Sequence, residues 1–355
     1  MNYQLAPLML LNLPSSPPSP LLMLAPMEGL TNGGIRQLIL DIGGVDTVAT
    51  EFIRITSPNQ RIKPIHRHDT GLLQIQFMAS EPETLARLIR MLRKRGVITS
   101  RDWIDINVGC PSRKVNAHGA GAALLKEPDK LSRMVCETRA AHPDGRLSMK
   151  TRIGYDSSSD FSMLLKTFSQ LPLDLLTIHA RTKKGSYDPE ALQLRPLHQA
   201  ATTLPYPVVG NGDIFSVEEA IRMLDTGVAG VMCGRGVMVN PFLFRDLREF
   251  LNSGELSIQE DERVSLLYAF ALDYLSYLKE QETKTKTGSK VGAFKEFSTW
   301  FSRNSLIGRK FFDAIKRLSS LADIETSVHS YFSELTLKKP GKTQGFRCVI
   351  HSTSA

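Results

Sequence analysis

Eight short apolar runs, spaced by longer amphipathic stretches, set the tightest limit on what this chain can fold into. The runs are "LLMLAP" (21–26), "VDTVATEF" (45–52), "LLQIQFM" (72–78), "WIDINVG" (103–109), "LSMKTRIG" (147–154), "LDLLTIHAR" (173–181), "YPVVGNGD" (206–213) and "GVAGVMCGRG" (227–236). Each has strand length, and together they occupy roughly the first two thirds of the chain. Between them lie helical patterns such as "PETLARLIRMLRKRG", "PDKLSRMVCETRAA" and "SVEEAIRMLDTG", several of which stop at a glycine. Eight strands alternating with helices predict an α/β fold, the (β/α)8 TIM barrel. A doubly wound sheet would carry a G-x-G-x-x-G turn after its first strand, and "APMEGLTNGG" lacks one.

The pattern changes near residue 250. Strand signals end, and 255–335 reads as a helical bundle, with "RVSLLYAFALDYLSYLKE" its clearest helix. The expected organisation is a disordered N-terminal extension (1–20), a catalytic barrel (21–250), a helical domain (255–335) and a C-terminal tail (336–355). The first twenty residues lack the basic start of a signal peptide, and their apolar run is too short to span a bilayer. A cytoplasmic protein away from membranes is expected. Four cysteines with no C-x-x-C pair speak against a zinc or redox dithiol site. The "HRH" at 66–68 has no third ligand nearby and reads as surface loop. No metal is expected.

Side chains alternate across a strand. Gln74 and Gln76 therefore share one face, as do Asp105 and Asn107, Lys150 and Arg152, His179 and Arg181, and Asn211 and Asp213. All crowd toward the C-terminal ends of their runs, where barrel enzymes place their sites. Such groups are costly to bury without a partner. The partner is either a ligand or a self-satisfied network of side chains and water. Gly234 and Gly236 around Arg235, after the eighth strand, suit a phosphate.

"NVGCPSRKVNAHGAGAALL" (107–125) ends an apolar run in Cys110, then Pro111 and a stretch rich in Gly and Ala. A structural cysteine belongs inside such a run, and this one sits where it stops. Glycines after it suggest a loop that opens and closes. Cys136 and Cys233 fall on helix and strand patterns and are expected in the core. The net charge of +8 makes a polyanion a plausible partner. The excess concentrates between 279 and 317, where ten cations face four carboxylates and Phe294, Phe297, Trp300 and Phe301 interleave. That segment is either a nucleic-acid surface or a solvated helix face with inward aromatics.

The motifs "LAPMEG", "NVGCPSRKV…GAGAALL", "MKTRIGYD", "IHARTK…Y", "VVGNGDI" and "GRG" together resemble the tRNA-dihydrouridine synthases, and "TEFIR" (50–54) looks most like the bacterial C-type, associated with uridine 16. The resemblance implies a barrel that binds FMN, takes electrons from NADPH, and reduces the C5=C6 bond of a uridine in tRNA. By motif match it implies that Pro26, Met27 and Glu28 lie by the flavin. Gln76, Lys150 and His179 would contact its ring. Asn211, Gly212, Asp213, Gly234 and Arg235 would hold the ribityl phosphate end. Cys110 would be catalytic, as the acid that protonates C5, and Arg54, Asn107, Arg152 and Lys295 would face the tRNA or the flipped uridine. The helical domain would hold tRNA, and the chain would act as a monomer. Two rivals stay open at this point: an FMN barrel reducing a free pyrimidine, and a non-catalytic RNA-binding protein on the same fold. Two glycines in "LTNGGIRQLI" depart from the family pattern, and "QETKTKTGSKVGAFKEFSTWF" matches it poorly.

Overall fold

The computed structural model describes residues 19–284 and 290–337. The extension before residue 19, the tail beyond 337 and Lys286 lie outside the described residues. The chain divides into two compact units between Leu256 and Ser257.

The first unit holds nine strands: β1 (Leu21–Leu24), β2 (Thr47–Ala49), β3 (Ile53–Ile55), β4 (Leu72–Ala79), β5 (Trp103–Asn107), β6 (Arg146–Arg152), β7 (Leu175–His179), β8 (Val208–Asn211) and β9 (Gly230–Cys233). Every pairing is parallel, and β1 lies between β2 and β9, so eight of them close into the expected barrel. The inner wall starts apolar. Met23, Trp103, Leu175, Val209 and Met232 pack together as its plug. Toward the mouth the inward positions turn polar.

The second run of the sequence is not one strand. β2 stops at Ala49 and β3 starts at Ile53, and both pair with β4, Thr47 opposite Leu72 and Ile53 opposite Phe77. The register slips by one residue between them. Thr50 bridges the break. Its N–H donates to Gln74 O at 2.8 Å, and its hydroxyl accepts from Gln76 N–H at 3.0 Å. The alternation also fails once, because residues 56–71 join β3 to β4 without a helix. Side chains fasten that segment instead. Arg67 pairs with Asp102 and donates to Val97 O at 2.8 Å. The buried Arg36 donates to His66 O and to His68 Nε2, both at 3.2 Å. His68 Nδ1 meets Gln37 Oε1 at 2.8 Å, so both its ring nitrogens are engaged. Burial, then Arg36, brings its pKa down to about 4.

The glycines of "LTNGG" do not weaken a helix interior. They form the first turn of Gly33–Ile42, whose cap Asn32 accepts from Gly34 and Ile35 N–H at 3.1 and 3.2 Å. Ser216 and Glu219 form a reciprocal capping box ahead of Val217–Leu224. Cys233 is buried as expected, but Cys136 is exposed. On Pro128–Ala141 the core face is Leu131, Met134, Val135 and Thr138, and position 136 points away from it.

The second unit consists of Glu260–Lys284, Lys290–Phe301, Lys310–Ile315 and Leu321–Leu337. Its interleaved aromatics face inward. Tyr274, Phe294, Phe297, Phe301 and Phe311 are fully buried, with neighbouring rings such as Phe297 and Phe301 at 4.8 Å. Trp300 is half-buried, with the Arg303 guanidinium 4.1 Å from its ring. Arg303, Arg309, Lys310 and Arg317 are exposed, while Lys279 pairs with Glu325. No helix among the described residues is long and apolar enough to cross a membrane.

Gly236 reads in the sequence as a phosphate glycine, yet a Cβ there would stand 1.9 Å from the backbone oxygen of Ile214. Its role is packing. Gly236→Ala is expected to destabilise the ligand-free protein by about 2–3 kcal/mol, lowering its melting temperature by roughly 5–10 °C in a thermal melt monitored by circular dichroism.

Candidate active site at the barrel mouth

Parallel register decides which side chains meet. It sets Gln76 beside Asp105, Asp105 beside Ser148, Asn107 beside Lys150, and His179 beside both Arg152 and Asn211. A continuous polar layer results. Gln74 Nε2 donates to Ser148 Oγ at 3.0 Å, and Ser148 Oγ donates to Asp105 Oδ1 at 2.6 Å. Gln76 Nε2 donates to Asp105 Oδ2 at 2.7 Å, and Asn107 Nδ2 donates to Gln76 Oε1 at 2.8 Å. On the other side Lys150 Nζ donates to Asn211 Oδ1 at 2.8 Å, and Asn211 Nδ2 to Met232 O at 2.7 Å.

Cys110 stands just past β5, half-buried against Met78, Val115, Ala120 and Phe52. Its backbone is held from every side. Asn107 Oδ1 accepts from Gly109 and Cys110 N–H at 3.2 and 3.0 Å. Arg152 Nε donates to Gly109 O at 2.7 Å, and Asn116 Nδ2 to Cys110 O at 2.8 Å. The far end of the following loop is packed, while residues 112–114, 117 and 118 are exposed. Residues 120–122 and Leu124 and Leu125 are buried. Gly121 has φ +63°, and a Cβ there would press on Cys110 Cβ and Val115 Cγ1 at 3.0 Å.

Burial pushes the Cys110 thiol above its ordinary pKa, and the charge of Glu28 adds to it. A backbone hydrogen bond with Ser112 and the cations Arg152 and Lys150 pull the other way. The thiol therefore stays protonated at neutral pH. Burial and then Arg152 bring Lys150 down to about 8, against the pull of Asp105 and Cys110. Burial raises Asp105 to about 6, despite hydrogen bonds from Gln76 and Ser148 and the charge of Lys150. His179 is held well below its ordinary pKa by burial, with Arg152, Lys150, Arg181 and Arg235 adding to it, so it is neutral.

The far side of the mouth is built for an anion. Asp213 accepts from Arg181 Nη2 at 2.5 Å and from Arg235 Nη2 at 2.7 Å, so one carboxylate serves two guanidiniums. Arg181 is fully buried, and its Nη1 has no hydrogen-bond partner. The buried Nδ1 of His179 is likewise unsatisfied. An unmet guanidinium N–H, an unpartnered imidazole nitrogen and surplus positive charge fit the phosphate and polar ring edge of a flavin nucleotide. Gly234 could not carry a side chain without pressing on Met27 Sδ at 3.2 Å.

Among the expected site residues, Gln76, Asn107, Cys110, Lys150 and Arg152 meet in the networks above, and Asp213 joins Arg235. Pro26, Met27 and Glu28 lie at the turn after β1, where Thr31 N–H donates to Met27 O at 3.0 Å. Arg152 and Asn107, expected to face the tRNA or the flipped uridine, are buried and hold the backbone of the Cys110 loop. Arg54 is half-buried on β3, and Lys295 lies in the second unit. The sequence pattern assigns no individual role to Asp105, Arg181 or Tyr187. Tyr187 is half exposed, 4.6 Å from the Arg235 guanidinium and 5.9 Å from that of Arg152. Its signal in the sequence is a lone aromatic after "IHARTK".

A closed parallel barrel whose mouth gathers cations and a protonated thiol has the make-up of an enzyme's active site. The profile of the dihydrouridine synthase (Dus) family matches residues 23–315, and the chain belongs to that family. It is similar to a tRNA-dihydrouridine(16) synthase of Cupriavidus necator, 31% identical over 317 residues, covering 86% of this chain and 95% of that one. A tRNA-dihydrouridine(16) synthase of Ralstonia nicotianae is 30% identical, covering 85% and 93%. A tRNA-dihydrouridine synthase B of Vibrio vulnificus is also 30% identical, covering 74% and 87%.

An ordinary thiol titrates near a pKa of ~8.5. Alkylation of Cys110 by iodoacetamide, followed by peptide mass spectrometry, is expected to keep accelerating well above that pH. A rate that levels off below it would mean a thiolate-forming site.

Proposed function

We propose that this chain reduces uridine 16 in the D-loop of tRNA to 5,6-dihydrouridine, with FMN as cofactor and NADPH as the electron source. The observation that carries the reading is a protonated thiol at the mouth of a cationic barrel, its backbone held by Asn107, Asn116 and Arg152. The names of the relatives from Cupriavidus and Ralstonia support position 16. Lys150, Gln76 and His179 would line the flavin ring, with Pro26, Met27 and Glu28 beside it. Arg235, Asp213, Gly212, Gly234 and Asn211 would hold its phosphate end. When bound there, FMN would supply the hydride that C6 of the uracil needs.

The chain's own work is the proton and the geometry. Cys110 Sγ–H delivers a proton to C5, on which charge builds as the hydride arrives at C6. Asn107 and Arg152 keep that thiol in place. The raised pKa keeps the acid loaded at neutral pH, and turnover falls as pH rises through that pKa. A uridine inside folded tRNA must first be extruded, at a cost of a few kcal/mol. Contacts from cations to phosphates offset this. The helical unit with Lys295, and Arg54 on the barrel, would supply them. The enzyme would work as a cytoplasmic monomer.

The test maps dihydrouridine by mass spectrometry in tRNA from a strain lacking the gene. Loss at position 16 is expected, restored by the wild-type gene. Cys110→Ala should retain flavin yet form product at least ~100-fold more slowly. An unchanged map sinks the reading, and loss at another position of tRNA replaces uridine 16.

A further inference from the structure

The polar layer in the barrel has a direction. An ionised carboxylate only accepts hydrogen bonds, so each partner of Asp105 must donate to it. Gln76 turns its Nε2 toward Asp105 Oδ2 at 2.7 Å, and that choice aims its Oε1 at Asn107. Asn107 then has to present Nδ2 to Gln76 Oε1, at 2.8 Å. Its Oδ1 is thereby left for the N–H groups of Gly109 and Cys110, at 3.2 and 3.0 Å. Reversing either amide would break the contacts on both sides of it. Gln76 is fully buried, and Asp105 and Asn107 are 1% and 7% exposed, so water has little access to stand in. Ser148 fixes the second oxygen of Asp105 and is itself tied to Gln74.

We propose that Asp105 is a positioning residue for Cys110: its carboxylate anchors a one-way chain of amide hydrogen bonds, through Gln76 and Asn107, that ends on the backbone N–H of Cys110 and holds the thiol in place. The inference rests on the reading of Cys110 as the proton donor only for its meaning. Its geometry stands on the hydrogen bonds alone. Asp105 sits below the mouth and needs no contact with substrate to act.

Two exchanges separate direction from mere bulk. Asp105→Leu removes the acceptor and keeps the volume, so the amides lose their bias. Gln76→Glu sets two carboxylates against each other and deletes the donor. Adding Asp105→Asn to Gln76→Glu restores the chain with the charge moved one step along it. The new amide at position 105 then donates to the carboxylate at position 76, and that carboxylate also accepts from Asn107.

The chain carries its own reporters. Alkylation of the flavin-loaded full-length protein is followed at each cysteine by peptide mass spectrometry. Cys136 is exposed and calibrates the reagent, and Cys233, 1% exposed, reports unfolding. We expect the Cys110 to Cys136 labelling ratio to rise at least fivefold in Asp105→Leu and in Gln76→Glu, with Cys233 protected. The double variant should return to within twofold of wild type. An unchanged ratio in Asp105→Leu with Cys233 protected overturns the proposal. Should Asp105→Leu expose Cys233, the Gln76→Glu pair decides alone, and absence of rescue there overturns it. None of these readouts requires tRNA or dihydrouridine, so a failed proposal here and a failed functional assignment give different results.

Discussion

Closure of a parallel sheet is the constraint from which the site follows. In an open sheet an edge strand can slip in register. Here β1 is paired on both sides, and each of the eight barrel strands has its register set by two neighbours at once. A one-residue slip would turn every inward side chain outward. The partners that define the mouth, Gln76 with Asp105 and Asn107 with Lys150, are neighbours because the ladder makes them so. The apolar plug of Met23, Trp103, Leu175, Val209 and Met232 holds the N-terminal end shut. It keeps the polar layer away from water except through the mouth.

That enclosure shifts the protonation behaviour of the groups above it. Desolvation raises Asp105 and Cys110 and lowers Lys150 and His179. The site thus pairs a protonated acid with a neutral imidazole and a cation that titrates near 8. Hydrogen bonds rather than ion pairs organise this side: Lys150 is tied to the amide of Asn211, not to a carboxylate. Its charge is left available to whatever occupies the mouth.

Much of this was readable in the sequence, because period-two alternation is a local property. The eight runs, the polar parity of Lys150 and Arg152 or His179 and Arg181, and the odd position of Cys110 all depend on near neighbours in the chain. What could not be read depends on distant ones. Asp105 shows its parity in sequence, but its acceptor role appears only once Gln76 and Ser148 flank it. Arg152 shows its place on the inner face in sequence, but its hold on the carbonyls of Gly109 and Thr182 appears only in the fold. The glycines at 119 and 121 read as a hinge, and the sequence does not show that a Cβ at Gly121 would press on Cys110 and Val115. Cys136 departs from expectation for a different reason. Its helical neighbours Leu131, Met134, Val135 and Thr138 already mark a face that excludes it. The break in the second strand had no local signal, since Thr50 completes the ladder with a side chain.

The single carboxylate shared by Arg181 and Arg235 reaches beyond the chemistry. A fully buried guanidinium with one nitrogen unmet raises the free energy of the ligand-free barrel. An anion that settles beside the pair relieves it and binds only the folded form. At a thousandfold excess over its dissociation constant, such a ligand adds ~4 kcal/mol of stability. Newly made chains that outrun their supply of the anion are then the ones that open and meet proteases. With such an anion bound, the folding equilibrium alone would tie the amount of this protein in a cell to the supply of that small molecule.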